Sequence, residues 1–329
     1  MRRVGLGAGG VQVSRIGLGC LSMSGTYGRA DQIESTLALQ RAIDLGVNLL
    51  DTADVYGNGH NEELVGRAIV GRRDRVVLAT KFGHTVAADG RIAGVDARPE
   101  VVAQRCEASL RRLRVESIDL YYLHRVDPKV PVEETVGAMA RLVEQGKVRS
   151  IGLSEASVKN LRRAQAVHPL AALQTEYSLW YRDPERELLP ACRELGIAFV
   201  AYAPLARGLF GAPFRSVDDL PPDDARRGHP RFSGANLERN LALSRKLDAL
   251  AAKKGRTAAQ LALAWLLTRG DGVIPIPGSK RRHRVEENAA AAEIELTTDD
   301  IALIESAVPR GAGTGDRYPP QLMKLLDAT

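Results

Sequence analysis

The sequence predicts an α/β protein of the (β/α)8 TIM-barrel class, for three reasons. Eight short apolar runs of strand length alternate with amphipathic stretches of helical period, from near the N-terminus to about residue 290. Strand then helix, repeated, is the pattern of parallel strands joined by crossover helices. A length of 329 residues accommodates eight such units with room for insertions. A doubly wound sheet is the alternative, but it would more naturally show about six strands and an early phosphate-binding loop.

The predicted strands are 16–19, 48–51, 76–80, 119–123, 149–153, 172–175, 198–203 and 273–276. The helical stretches between and after them are 32–45, 62–69, 99–112, 132–145, 158–167, 185–195, 257–268 and 282–290. Pro99 suits a first helical turn, where its missing N–H costs no hydrogen bond. Gly46, Gly146 and Gly196 follow last apolar-periodic residues, as helix-terminating glycines do. Gly5, Gly7 and Gly10 match a G-x-G-x-x-G string, yet only four residues precede Gly5 and VQVSRIGLG after Gly10 is strand-like. A dinucleotide loop needs a strand before it and a helix after it; here the string reads as an N-terminal β-hairpin turn. Residues 206–235, rich in Pro, Gly and Asp, read as a long loop after the seventh strand, followed by an extra helix at 236–254. Residues 310–329 have little periodicity and read as a tail packed near the barrel mouth. The whole chain, 1–329, is expected to form a single domain.

Net charge is +6, with a pI near 9.3. The arginines are scattered, the densest cluster (KRRHR, 280–284) is short, and no aromatic residues interleave it. The charge therefore reads as solvated surface rather than a nucleic-acid track. Cys20, Cys106 and Cys192 make no disulfide framework, so a reducing cytoplasm is expected. The first residues lack an apolar signal core, and no apolar run is long enough to cross a bilayer. Metal-ligand spacings such as HExxH and CxxC are absent. The expected partner is a small molecule, not nucleic acid or membrane.

Four residues stand at or just past the ends of successive predicted strands: Asp51 and Tyr56 in LLDTADVYG, Lys81 in VLATKFG and His124 in LYYLHRVD. In a barrel the C-terminal strand ends converge on one mouth, so the four can meet. A free tyrosine has a pKa of about 10 and is a poor acid at neutral pH. A nearby ammonium favours phenolate and lowers that value. Lys81 supplies this charge, Asp51 keeps Lys81 charged and oriented, and His124 is placed to hydrogen-bond a carbonyl oxygen. Such a set is a general acid for a carbonyl becoming an alkoxide. The hydride must then come from a cofactor. Taken singly, each residue has a plainer role as cap, packed ring, solvated amine or core imidazole; their joint placement carries the chemistry.

Over essentially its whole length the sequence resembles the aldo-keto reductase superfamily. GVNLLDTADVYGNGHNEELVGRAI is similar to the family's Asp/Tyr segment, LATKFG to its Lys strand and LYYLHRVD to its His strand. VRSIGLSEAS, LQTEYSLW, AYAPLARGLF and IPIPGSKRRHRVEEN resemble its cofactor-binding strands and loops. Within the family the chain is most similar to bacterial and plant members related to perakine reductase and pyridoxal reductase. The resemblance implies an NADPH-dependent reductase of aldehydes and ketones, with Tyr56 as proton donor, Lys81 and Asp51 tuning it, and His124 orienting the carbonyl. It implies that Tyr202 stacks on the nicotinamide, that Ser154 and Gln174 hydrogen-bond its carboxamide, and that Gly19, Cys20 and Leu21 line the cofactor. Pro204, Leu205, Arg207 and Gly208 would cover the pyrophosphate. Gly278, Ser279, Lys280, Arg284, Glu287 and Asn288 would hold the adenosine end. Lys280 and Arg284 at a helix start suit a phosphate on independent physical grounds and favour NADPH over NADH.

Three positions depart from the family pattern: Ala203 where many relatives have Ser, Ala206 where they have Gly, and Glu155 where they have Asn. The substrate mouth is expected to receive Met23, Tyr27, His84, Trp180, the 206–235 loop and the tail, an apolar and aromatic set. Two other activities are weighed. A nucleotide-binding regulatory subunit, like the potassium-channel β subunits of this family, would not need the intact quartet. A Schiff-base aldolase using Lys81 would need a neutral amine, which Asp51 opposes.

Overall fold

The computed structural model of the chain describes residues 1–7, 10–88, 90–211 and 214–327. It opens with a hairpin of β1 (Arg3–Gly5) and β2 (Gln12–Ser14), paired antiparallel with Val4 opposite Val13. Strand β3 (Leu18–Gly19) leads to α1 (Gln32–Asp44), β4 (Leu49–Asp51) to α2 (His60–Ala68), and β5 (Val77–Phe82) to a second hairpin, β6 (His84–Val86) with β7 (Ile92–Val95), before α3 (Pro99–Leu113). Then follow β8 (Leu120–Leu123), α4 (Val132–Glu144), β9 (Ile151–Ser154), α5 (Val158–Val167), β10 (Leu170–Glu176), α6 (Leu188–Leu195) and β11 (Ala198–Tyr202). The extra helix α7 (Gly234–Lys253) precedes α8 (Ala258–Leu267), β12 (Val273–Pro275), α9 (Arg282–Ala290), α10 (Thr298–Ala307) and α11 (Pro320–Met323).

Eight strands pair in parallel in the order β3-β4-β5-β8-β9-β10-β11-β12. A parallel bridge between Gly19 and Gly278 joins the last edge to the first. Gly17 N–H donates to Pro275 O at 2.9 Å and Gly19 N–H to Pro277 O at 3.2 Å, so the barrel is closed by backbone hydrogen bonds.

Side chains alternate across these strands with period two. Leu49, Ala79, Leu120, Tyr122, Ala172, Val200 and Ile276 fill the barrel interior, with Val4, Leu6 and Val13 of the hairpin plugging its N-terminal end. Leu50, Leu78, Tyr121, Leu123, Ile151, Leu153, Leu173 and Phe199 face outward into the helix layer. Tyr122 spans the interior opposite Gly152, where a Cβ would stand 2.7 Å from the ring and 2.5 Å from Ala172 O. Two residues above the interior layer, the same alternation turns Asp51, Lys81, His124, Ser154, Gln174 and Tyr202 toward the C-terminal mouth.

Several expectations are refined. The β6–β7 hairpin and helices α10 and α11 add to the expected elements. Residues 84–95 alternate polar and apolar over too short a span to declare a hairpin. The 185–195 stretch divides into a 3₁₀ turn at Asp183–Glu185 and α6, because Glu187 leaves the helical region (φ −136°). The 206–235 loop contains short 3₁₀ turns at Val217–Asp219, Ala225–Gly228 and Pro230–Phe232; its residues 212–213, like tail residues 328–329 and hairpin residues 8–9, lie outside the described set. The tail packs on the mouth: Asp327 accepts from Ser157 N, Ser157 Oγ and Asn160 Nδ2, each at 2.8 Å, at the start of α5.

Candidate active site

The mouth brings the expected quartet together. Lys81 is fully buried, and its ammonium is ion-paired to Asp51 Oδ1. It also donates to Thr52 O at 2.8 Å and to the Tyr56 hydroxyl at 3.4 Å. The other Asp51 oxygen accepts from Gln174 Nε2 at 2.7 Å, which fixes the carboxylate from both sides. Tyr56 lies in the β4–α2 turn, where its N–H donates to Ala53 O. The His124 ring stands edge-on to it, with centroids 5.8 Å apart. His84 packs on the far side of His124 at 4.5 Å.

Burial dominates the electrostatics. It pulls His124 well below the usual imidazole range, with help from His84, Arg125 and Lys81, so His124 is neutral at physiological pH. Burial lowers the Lys81 amine, and Asp51 opposes that by attraction and hydrogen bonding. The net push on the Tyr56 phenol is upward, from burial and the Asp51 charge, against a downward pull from Arg125. This is opposite in direction to the lowering by Lys81 that the sequence suggests, because burial and the Asp51 charge dominate. Tyr56 therefore rests protonated, and its role as an acid depends on the Lys81 contact stabilising the phenolate as the proton leaves.

The residues expected around a nucleotide form two groups. Gly19, Ser154 and Tyr202 end barrel strands beside the quartet, and Gln174 lies two residues before the end of β10. Ser154 Oγ accepts from Arg125 Nη1 at 3.2 Å, and Tyr202 OH meets Tyr318 OH of the tail at 2.8 Å. Cys20 and Leu21 begin the turn after β3, with the Cys20 N–H on Asp51 O and its thiol buried in the helix layer. Pro204, Leu205, Arg207 and Gly208 form a tight turn after β11, in which Ala203, Ala206 and Arg207 have φ of 48°, 50° and 57°. At the far edge, Gly278 bridges Gly19, Ser279 Oγ donates to Arg281 O, and Asn288 is buried on α9. Lys280 donates to the carbonyls of Tyr27, Gly28 and Arg29 at 2.8–2.9 Å, and Arg284 pairs with Glu287 at 2.6 Å. Both cations thus already serve the protein here, rather than standing open as their sequence position suggests. The first turn of α9 is capped from α1, where Glu34 Oε1 accepts from the Arg282 N–H at 2.9 Å.

Of the expected mouth residues, His84 and Tyr27 are present, the latter 3.4 Å from Arg207 Nη1. Met23 and Trp180 are buried in the helix-layer core, with Trp180 packed on Phe210. Sequence reasoning missed a buried charge network over the mouth. Glu176 pairs with Arg231 and, at 3.3 Å, with Arg207; Glu155 pairs twice with Arg317 at 2.9 Å. Arg207 also lies 4.6 Å from the Tyr318 ring centroid. These partners come from segments 31 to 162 residues apart, so local pattern carries no trace of them. The cleft of about 430 Å³ bounded by Arg3, Asn48, Asp74, Asp119 and Arg149 lies at the opposite, N-terminal end and shares no residue with the quartet. Among the described residues no cluster of His, Cys, Asp and Glu could hold a metal ion, and no helix is long and apolar enough to cross a membrane.

A closed parallel barrel whose C-terminal mouth holds this quartet defines the class to which the chain belongs, the aldo/keto reductase family, whose family model matches residues 15–309. The chain is 45% identical over 318 residues to a probable aldo-keto reductase 1 of Glycine max, covering 96% of this chain and 91% of that protein. Among solved structures it is similar to the glycerol dehydrogenase AKR11B4 from Gluconobacter oxydans (TM-score 0.84, 30% identity, 97% of this chain and 98% of that one). It is also similar to an aldo/keto reductase from Klebsiella pneumoniae in complex with NADP and acetate (TM-score 0.74, 31% identity, 97% and 99%).

Proposed function

We propose that the protein is an NADPH-dependent reductase of aldehydes and ketones, folded as one barrel domain over residues 1–329. The observation that carries this is the Lys81 ammonium held between Asp51 and Tyr56, with the neutral His124 ring beside the phenol. The similar Klebsiella pneumoniae structures with NADP and with NADPH support the choice of cofactor. So does the donor set. The hydroxyl of Ser154, the amide of Gln174 and the ring of Tyr202 stand on three neighbouring strands at the mouth, where they can serve a flat carboxamide-bearing ring. Lys280 and Arg284 flank the start of α9 and supply positive charge that suits a phosphate, once their present contacts to the 27–29 carbonyls and to Glu287 are exchanged. We assign Gly19, Cys20, Leu21, the 204–208 turn, Gly278, Ser279, Glu287 and Asn288 to the remainder of that surface. Placement near perakine and pyridoxal reductases belongs to the same proposal and is supported by the His124–Arg125 pair.

The reduced nicotinamide supplies the hydride, and the side chains do the rest. Neutral His124 donates a hydrogen bond to the carbonyl oxygen and sets its direction. Tyr56 transfers its proton to that oxygen as negative charge develops. Lys81, held by Asp51 and Thr52 O, stabilises the phenolate left behind. The Tyr202–Tyr318 and Arg317–Glu155 contacts close the tail over this chemistry and keep water from it.

Tyr56→Phe should reduce turnover of a panel of aldehydes, ketones, quinones and pyridoxal by roughly 10²-fold or more, while NADPH binding, followed by fluorescence titration, persists. Turnover surviving in this variant would remove Tyr56 from its role.

A further inference from the structure

Four guanidinium groups are gathered at the mouth, and three have carboxylates. Arg207 and Arg231 share Glu176, and Arg317 takes Glu155. Arg125 is different. It is 7% exposed, directly follows His124, and forms no salt bridge among the described residues. Its Nη1 donates to His124 O at 2.6 Å and to Ser154 Oγ at 3.2 Å. Its Nε and Nη2 have no protein acceptor, and neither is among the fully enclosed unpartnered atoms. Glu155 acts on it only from a distance, from its place on Arg317, and a buried guanidinium edge with no acceptor in contact is costly unless an anion arrives to meet it. The neighbours respond to this charge: Arg125 and Arg207 together hold the Tyr318 hydroxyl below its ordinary range against the pull of burial.

We propose that the carbonyl substrate carries its own carboxylate, and that Arg125 receives it beside the reacting carbon. The substrate class is an oxo acid or aldehyde acid. This rests on the reductase reading above. The unpaired edge of a guanidinium offers two N–H donors in one plane, matching the two oxygens of a carboxylate. The four guanidinium groups and two carboxylates leave two positive charges at the mouth, so it is the planar two-donor edge rather than the charge count that favours a carboxylate over a tetrahedral phosphate. The reduction itself is unchanged: hydride adds to the carbonyl carbon, Tyr56 protonates the oxygen, and the carboxylate leaves as it entered.

The test uses acid and methyl-ester pairs that differ in the spacing of carboxylate from carbonyl: pyruvate, 4-oxobutanoate and 4-carboxybenzaldehyde, each against its ester. The protein should prefer the acid of at least one pair by tenfold or more in kcat/KM. Arg125→Gln should bring that ratio to about one whatever its effect on absolute rates, and Arg125→Lys should keep part of it. Calorimetry in a Tyr56→Phe background with NADPH bound, where nothing turns over, should show the acid's Kd weakened roughly 10–100-fold by Arg125→Gln, without a matching change for the ester. A ratio near one in every pair for the parent protein overturns the inference, as does a preference that survives Arg125→Gln. So does a stronger preference for 4-formylphenyl phosphate than for 4-carboxybenzaldehyde. Consumption of no carbonyl at all, neutral or anionic, would instead strike the reductase reading, and the calorimetric comparison would still judge Arg125.

Discussion

Lys81 shows how little freedom a single residue has here. Its ammonium is buried, yet Asp51, Thr52 O and Tyr56 satisfy it. Removing one partner of a buried ion pair leaves the other charge uncompensated, at a cost of about 3–5 kcal/mol. Lys81→Met should therefore lose both turnover and stability, because Asp51 keeps only Gln174 as a partner. Adding Asp51→Asn should restore much of the stability and none of the turnover. Urea unfolding and NADPH oxidation on the two variants check this; equal stability of single and double variants would show that Asp51 is not charged in the fold. Glu155 illustrates a related constraint. Its backbone is left-handed (φ 53°), a conformation that the Asn of many relatives adopts more readily. Its N–H on Gln174 O, the Glu176 N–H on its carboxylate and the two bonds from Arg317 hold it there.

Among the elements, the 203–208 turn after β11 is the most strained. Ala203, Ala206 and Arg207 all have left-handed φ in a span where only Gly208 takes it freely. Ala206 is buried, so the surrounding wall, not solvent, sets its backbone. Ala206→Gly should raise stability by about 1 kcal/mol by relieving the Cβ clash, less the extra entropy of a glycine in the unfolded chain. Thermal unfolding measures it; a loss of stability would mean that the Ala206 methyl contributes more by packing than its backbone costs. Alternation explains why the strands position the quartet so reliably. With Leu49, Ala79 and Tyr122 in the interior, Asp51, Lys81 and His124 must face the mouth, and a one-residue slip would send all three into the helix layer.

The whole molecule sums buried titratable groups of opposite tendency. Asp54 sits in the turn after β4 with neither carboxylate oxygen hydrogen-bonded, and burial and Glu62 push it up to about 7 from an ordinary 3.8. Its folded form binds a proton that the unfolded chain releases, so its contribution to stability is lost as pH rises from about 3.8 to about 7. His84 and His229 are lowered by burial to about 3 and about 4. Below about 6.5 the unfolded chain protonates these imidazoles and the fold does not, so their effect is a loss of stability as pH falls. Between pH 5 and 6.5 the two effects oppose. Asp54→Asn removes one of them, so the variant should lose stability on acidification more steeply than the parent, by about 1.4 kcal/mol per pH unit, and should be the more stable at pH 8. Unfolding curves at pH 5, 6.5 and 8 test this, and parallel curves for the two proteins would sink it.

The sequence by itself determined the barrel and the quartet. Both rest on short-range regularities: period-two strands, period-3.6 helices, terminating glycines, and polar residues one step beyond an apolar run. The helices at 158–167 and 282–290 have the same limits in the structure. Only the tertiary structure decided the rest. Glu176 with Arg231, Glu155 with Arg317 and Lys280 with the 27–29 carbonyls join segments remote in sequence, and a lone charged residue carries no local mark of its partner. The upward push on Tyr56 and the missing counter-ion of Arg125 are likewise properties of enclosure. A charge's energy depends on how much water and how many opposite charges surround it, and both are settled only when the chain has closed on itself.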